Sequence, residues 1–592
     1  ASSERSPLRS GGVGANQSQR AAVCALRHAL EKIQGPPGTG KSTTIYHVIT
    51  QRVPPGARVL VTCSRNVAIE SIAQQLRACA AEMLVVGAPG RIGATARKHL
   101  LDAKIESHPK VRAVAAASLG GFQSKAALSA AESVRGDLMS RCRLILCTIA
   151  STSRLLREWE EFAPHAPLDV HTVIVDECGC TPESSTALLL NLRPRNLVLL
   201  GDHNQLPPCS VIDPRELKNT GHDRSALERC VLGSGAGSPS PPMPPNGASA
   251  AEAETNRVAE LSSPACHRLT EQYRMHPAIS SFPSRRFYGS SVRDAGSTQT
   301  VPFFLRPGFS FEKRARSEKR DALRAWLRAP FAFVDAPFAA GVRSETRGCA
   351  ASGGGARAGT SGSGASLGND AEAELAAALA RALPWATRAE RERGGDSDSD
   401  SDSDSDDSFS SARRDAASAD ADAVITSAVI TFYSEQARRV RRELEARGSL
   451  ANALAGPESG SVPRCAAAAT TAKRGKEGAP TKRKNASRSR NPLLDGERRA
   501  SHFPPPAVHT VDSFQGSEAD VVVISAVRCN ARGDVGFLAD PRRLNVALTR
   551  AKSVCVFVGC ARTLRASGSA DLRALVRDSE SRGLIATEAE AR

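Results

Sequence analysis

The pattern of this 592-residue chain specifies an α/β protein with two parallel-sheet domains, carrying helical and disordered insertions. Short Val/Ile/Leu runs alternate with helix-forming stretches and fall into two groups. A loop patterned for phosphate opens the first group. Between and within the groups lie tracts too poor in apolar residues to build a core.

"RVLVTC" (58–63), "RLILCT" (143–148), "TVIVDE" (172–177) and "NLVLLGD" (196–202) form the first group. "AVITFY" (428–433), "DVVVIS" (520–525) and "VCVFVG" (554–559) form the second. Continuous apolar runs of this length suit central parallel strands covered by helices on both faces. The first domain is expected over 1–232, a linker over 233–265 and the second domain over 266–592. Residues 88–141 are rich in Ala, Leu and Lys/Arg and break at Gly120-Gly121, which predicts an insertion of two helices. The linker holds "GSGAGSPSPPMPPNGASA" (233–250). Segments 340–368, 385–422 and 450–504 of the second domain read as disordered insertions, because low apolar content cannot offset the entropy of ordering.

"QGPPGTGKST" (34–43) meets the pattern G-x-x-x-x-G-K-[ST]. In the loop of Gly35, Pro36, Pro37, Gly38, Thr39 and Gly40, the glycines free the backbone to turn its N–H groups toward phosphates. Lys41 adds a point charge, Ser42 offers a hydroxyl to Mg²⁺, and Ser42 and Thr43 open the helical stretch "STTIYHVITQRV", whose N-terminus faces the anion. Asp176 and Glu177 end a strand at the edge where parallel sheets bind ligands. Asp176 would hold Mg²⁺ and Glu177 would act as general base on the attacking water. Taken alone, an Asp-Glu pair equally fits a solvated strand end. Gln205, in "LLGDHNQLPP", is a candidate γ-phosphate sensor, or simply part of a turn. Arg274 and Arg550 suit the charge that develops on a transferring phosphoryl group, or ordinary surface ion pairs.

Lys and Arg number 79 against 62 Asp and Glu, a net charge of +17. The tract Asp396–Asp407 holds seven Asp, and Lys473–Arg490 carries a net +7, so these two cancel and the rest keeps the surplus. A basic body favours a polyanionic partner such as nucleic acid, or plain solubility. The 15 cysteines include no C-x₂-C pair, which predicts buried thiols in a reducing compartment rather than a zinc module or disulfide scaffold. No apolar run is long enough for a membrane span, and no signal peptide is visible at the start. Residue 1 is Ala, as in a fragment or a processed chain.

Beyond these readings, the chain resembles superfamily 1B helicases of the group that includes the nonsense-mediated-decay helicase, senataxin and Aquarius. The resemblance rests on an ordered series: "NQSQ" (16–19), "GPPGTGKST" (35–43), "VLVTCSRNVAIESI" (59–72), "CTIAST" (147–152), "VDEC" (175–178), "GDHNQLPP" (201–208), "QYRMHPAISSFP" (272–283), "ITFYSEQ" (430–436), "TVDSFQGSEADVVVIS" (510–525) and "GFLADPRRLNVALTRAK" (536–552). It implies two RecA-like P-loop NTPase domains with ATP between them and one nucleic-acid strand across their top.

On that resemblance Gln19 would read the adenine, Tyr273 would stack on it, and Glu518 would contact the ribose. Arg274 and Arg550 would be arginine fingers. Ser64, Arg65, Asn66, Thr148, Ser151 and Thr510 would touch the strand backbone, a mode that positions a strand without reading its sequence. Single-stranded RNA or DNA is then the expected partner, ATP and Mg²⁺ the cofactors, and 5′→3′ the usual direction. Two motifs depart from the family pattern. Cys180 stands where D-E-x-x-Q has glutamine, and "CSRN" stands where A-P-S-N is common. The family's accessory barrel, expected upstream of Gln19, has no room in the eighteen residues there. Two basic clusters in "KRGKEGAPTKRK" fit a bipartite nuclear signal or a basic loop, which leaves the compartment nuclear or cytoplasmic, with the nucleus slightly favoured. The motor reading competes with a nucleic-acid scaffold or clamp that unwinds little. A P-loop enzyme acting on small molecules is disfavoured by the QYRMHP and NVALTRAK segments.

Overall fold

A computed structural model describes residues 14–165, 167–210, 216, 220, 222–232, 266–299, 329–336, 346–347, 366–394, 425–454 and 504–587. The strands of the first half are β1 (Leu30–Gln34), β2 (Arg58–Cys63), β3 (Met83–Val86), β4 (Leu144–Thr148), β5 (Val170–Val175), β6 (Asn196–Gly201) and β7 (His267–Arg268). They form one parallel sheet in the order β3-β4-β2-β5-β6-β1-β7. After the short pair β8 (Glu271–Gln272) and β9 (Arg293–Asp294) come β10 (Phe331–Asp335), β11 (Thr346–Arg347), β12 (Leu367–Gly368), β13 (Ser427–Thr431), β14 (Ala507–Thr510), β15 (Ala519–Ser525), β16 (Ala551–Gly559) and β17 (Ile585–Thr587). Six of these build a second parallel sheet, ordered β14-β13-β15-β16-β10-β17. The architecture is two RecA-like α/β units.

Both faces of each sheet are buried, as continuous apolar strands require. Val59 and Val61 of β2 pack with Ile45, Ile49, Ile69 and Ile72 on one face, while Leu60 packs with Met139, Leu155 and Trp159 on the other. In the second sheet Val522 and Ile524 join Phe333 and Phe557, and Val521 and Val523 face Leu375, Leu379 and Val440. The alternation follows the two-residue period of a strand.

The expected pair of helices near 88–141 is instead four: Ala94–Arg97, Leu101–Ser107, Pro109–Ala117 and Lys125–Arg141. Pro109 takes the first turn of its helix, where its missing N–H costs nothing, so a proline opens an element here. Gly120 and Gly121, with φ of 98° and 57°, make the anticipated break. The helices Asp370–Gly394 and Ser434–Leu454 run past 385 and 450, where disordered insertions were expected, and β11 and β12 fall within 340–368. Ala, Glu and Arg make those stretches good helix formers despite their low apolar content. The linker 233–265, the Asp/Ser tract and the basic tract lie outside the described residues. Among the described residues no helix is long and apolar enough to cross a membrane. Most of the described cysteines are buried free thiols.

Candidate nucleotide and strand site

Every motif loop of the first unit leaves the carboxyl end of a parallel strand, so the loops share one edge. The phosphate loop follows β1 and leads into the helix Lys41–Gln51. Gly38 and Gly40 sit at φ of 74° and 75°, a region that suits glycine. Side chains would also collide there: a Cβ on Gly38 would lie 2.7 Å from the Arg274 Cβ, and one on Gly40 2.5 Å from Gln19 Nε2. Thr39 closes the loop by donating from its hydroxyl to the Pro36 carbonyl at 2.8 Å.

Lys41 Nζ donates to the Gly35 carbonyl at 3.1 Å and lies 3.6 Å from Glu177 Oε1. Glu177 adopts φ 51°, ψ 36°, a left-handed conformation that costs a non-glycine residue roughly 1–2 kcal/mol. Strain of this kind persists where the surroundings over-determine the backbone. Asp176 is buried and accepts the Glu177 N–H at 2.9 Å. Burial, with the neighbouring Glu177 carboxylate, pushes its pKa up to about 7, and Lys41 offsets this only in part. Asp176 and Ser42 line the same cleft. A buried carboxylate that is costly to ionise, beside a hydroxyl, fits a divalent cation, which would relieve that cost.

Gln19, the expected adenine reader, is buried, with Nε2 donating to the Thr39 carbonyl at 3.1 Å and Oε1 accepting the Asn16 N–H at 3.0 Å. Its amide therefore braces the phosphate loop. Tyr273 is 44% exposed, and its hydroxyl accepts from Asn16 Nδ2 at 2.9 Å, leaving a ring face open to the cleft. Glu518 accepts from Arg274 Nε at 2.6 Å and from Lys552 Nζ at 2.8 Å. Burial alone would raise its pKa, but these two cations outweigh it and hold the carboxyl near 2.

The second unit brings its arginines to this edge. Arg550 is buried and donates to Gln205 Oε1 at 3.2 Å, to Thr549 Oγ1 at 3.2 Å and to the Val546 carbonyl at 3.0 Å. Burial and Arg274 push its guanidinium down to about 9, still protonated at neutral pH. Lys41, Glu177, Gln205, Arg274, Glu518 and Arg550 thus face one cleft of about 730 Å³.

The expected strand contacts occupy the same edge. Ser64 and Arg65 follow β2, and Asn66 starts the next helix. Thr148 and Ser151 share a 2.9 Å hydroxyl bond after β4. Thr510 ends β14 and bonds Ser513 at 3.1 Å between hydroxyls. Arg65 Nη1 reaches across and donates to the Asp512 carbonyl at 3.0 Å. Cys180 Sγ donates to the Glu177 carbonyl at 3.2 Å and lies 3.7 Å from Ser64 Oγ.

A family model described as an AAA domain matches residues 252–562, more than half the chain, and another of that description matches 14–129 and 123–211. DNA-binding protein SMUBP-2 of Mesocricetus auratus is 28% identical over 46% of this chain and 27% of its own length. The regulator of nonsense transcripts 1 homolog of Drosophila melanogaster is 24% identical over 91% of this chain and 34% of its own. An ATP-dependent helicase of Methanocaldococcus jannaschii is 25% identical over 48% of this chain and 46% of its own. The chain belongs to the superfamily 1B helicases. It spans about a quarter to a third of the length of the first two relatives.

The helicase cleft also uses residues that the sequence reading passed over. Asp202, buried, accepts from Gln34 Nε2 at 3.2 Å, Gln205 Nε2 at 2.9 Å and the Tyr288 hydroxyl at 2.7 Å, which fixes the Gln205 amide toward Arg550. Asn545 donates to the Asn204 carbonyl at 2.8 Å and to the Tyr288 hydroxyl at 2.7 Å. Asn16 ties Gln19 to Tyr273. Each sits inside a quoted motif, but only the folded neighbours give it a role.

Proposed function

We propose that this superfamily 1B helicase hydrolyses ATP with Mg²⁺ to move along single-stranded RNA or DNA and so unwind paired strands, in the 5′→3′ sense usual for its family. The observation that supports this most is the meeting of Lys41 and Glu177 with Arg274 and Arg550, from the other unit, in one cleft. Ser42 and Asp176 would hold Mg²⁺, whose role is to neutralise phosphate charge. Lys41 and the loop N–H groups hold the phosphates, and Glu177 takes the proton of the attacking water. Arg274 and Arg550 stabilise the spreading charge only when the cleft is shut. The cycle of grip and release therefore tracks nucleotide state. Ser64, Arg65, Thr148, Ser151 and Thr510 contact the strand backbone. Within this reading the two functional domains divide at the 233–265 linker. One relative's name speaks of DNA and another's of transcripts, so both polymers belong in the test.

The second reading, a clamp with weak unwinding, draws on Cys180. Its thiol stands between Ser64 and the Glu177 loop, where a weaker link would loosen coupling of strand to hydrolysis. ATPase rates of wild type and Glu177→Gln, with and without single-stranded RNA or DNA, test the motor. Strand-stimulated hydrolysis, lost by on the order of a hundredfold or more in Glu177→Gln, is expected. Strand binding without hydrolysis would sink the motor and leave the clamp, and a strand-displacement assay separates the two.

A further inference from the structure

We infer that Phe537 is a stacking platform for a base of the bound strand, a contact that goes beyond backbone grip. The inference rests on the nucleic-acid reading above. Phe537 is 62% exposed, an unusual position for an aromatic side chain of a folded core motif. Its ring is mounted rather than loose. Tyr433 packs beside it at 6.0 Å between centroids and 50° between planes, and the Arg543 guanidinium lies 5.5 Å from its centroid. Gly536, just before it, approaches the Tyr433 hydroxyl so closely that a Cβ would sit 3.0 Å away.

The same Arg543 ties the ring to the expected strand site. Its Nε donates to Asp512 Oδ1 at 3.2 Å, in the turn that follows Thr510, and its Nη1 to Asp540 Oδ2 at 3.3 Å. Arg65 grips the carbonyl of that same Asp512 from the first unit. Tyr433 follows β13, the 511–513 turn follows β14, and the 526–540 segment follows β15. These are neighbouring parallel strands, so all three leave by one edge. A half-open aromatic face, backed by a second ring and an arginine, and flanked by hydroxyls suited to phosphate and sugar, is what a single strand meets in stacking sites. Such a face takes any base, so it adds affinity without adding sequence preference.

The test is anisotropy of a labelled homothymidine strand, and of an abasic deoxyribose-phosphate strand of equal length. The proteins are wild type, Phe537→Ala, Phe537→Leu and Phe537→Trp. Loss of one stacked base weakens binding roughly 5- to 100-fold. Phe537→Ala and Phe537→Leu are expected to lose that much on the base-bearing strand and less than twofold on the abasic one, while Phe537→Trp keeps wild-type affinity. Phe537→Ala binding the base-bearing strand like wild type would overturn the inference alone, as would equal losses on both strands. No binding by wild type would overturn both this and the nucleic-acid reading.

Discussion

Two buried glutamates show how local partners decide the fate of a charge. Glu31, in β1, accepts backbone N–H groups of Arg27 and His28 at 2.5 and 2.6 Å and pairs with His267 at 3.3 Å. Burial alone would raise its pKa, but these partners hold it below the ordinary carboxylate value. Glu372 is also buried, and one of its oxygens accepts both the Ser525 hydroxyl and the Val527 N–H at 2.8 Å. Burial pushes it up to about 7 against a usual 4.5. The folded state therefore binds this proton more tightly than the unfolded chain does. The cost of the carboxylate is absent below 4.5 and grows as pH rises toward 7. Glu372→Gln keeps the accepting oxygen and removes the charge. It is expected to stabilise the protein by roughly 1–3 kcal/mol at about pH 8 and by little at about pH 4. Calorimetric melting at both pH values checks this, and an equal effect at both would contradict it.

At the scale of elements, the helix Gln17–Ala25 ties stability to the proposed nucleotide contacts. Its capping box has Asn16 Oδ1 accepting the Gln19 N–H at 2.8 Å while Gln19 returns its side-chain oxygen to the Asn16 N–H. Because Asn16 also donates to Tyr273, Asn16→Ala should cost about 1 kcal/mol of stability and weaken ATP binding as well. Ser124, capping the helix Lys125–Arg141 away from the cleft, is the control: Ser124→Ala should cost similar stability with unchanged affinity. Equal nucleotide affinity in Asn16→Ala and Ser124→Ala would refute the link. The seven apolar runs all became strands, but β1, "LEKIQ", did not announce itself, since Glu31 and Lys32 interrupt its apolar run. β10 and β17 are short; β10 pairs with β16 and with β17 across long stretches of chain. Nothing local marks such strands, because their stability is non-local.

Over the whole molecule, the two units meet through polar contacts that also set the site. Arg542 donates to Glu228 Oε1 at 2.5 Å, joining the helix Pro541–Leu548 to Ala226–Leu232. Glu228 is buried, and its second oxygen has no partner among the described residues. Arg542→Ala would leave that carboxylate buried without its counter-charge, costing roughly 1–3 kcal/mol. Adding Glu228→Gln should recover part of the loss, which a double-mutant cycle on equilibrium unfolding measures. Additive losses would mean that the pair does not hold the units together.

The sequence by itself determined the chemistry available. Glycines at fixed spacing before Lys41 and Ser42, acids at a strand end and arginines in two late motifs are local patterns, dictated by backbone freedom and by charge. The apolar runs likewise determined two parallel sheets, since a strand buried on both faces must be apolar throughout. Only the tertiary structure decided which groups act on one another. It turned the Gln19 amide onto the phosphate loop, gave Glu518 to Arg274 and Lys552, aimed Gln205 at Arg550 through Asp202, and linked Phe537 through Arg543 to the turn after Thr510. The Arg274–Glu518 and Gln205–Arg550 pairings join residues hundreds of positions apart, and only the packed fold brings them within hydrogen-bond reach.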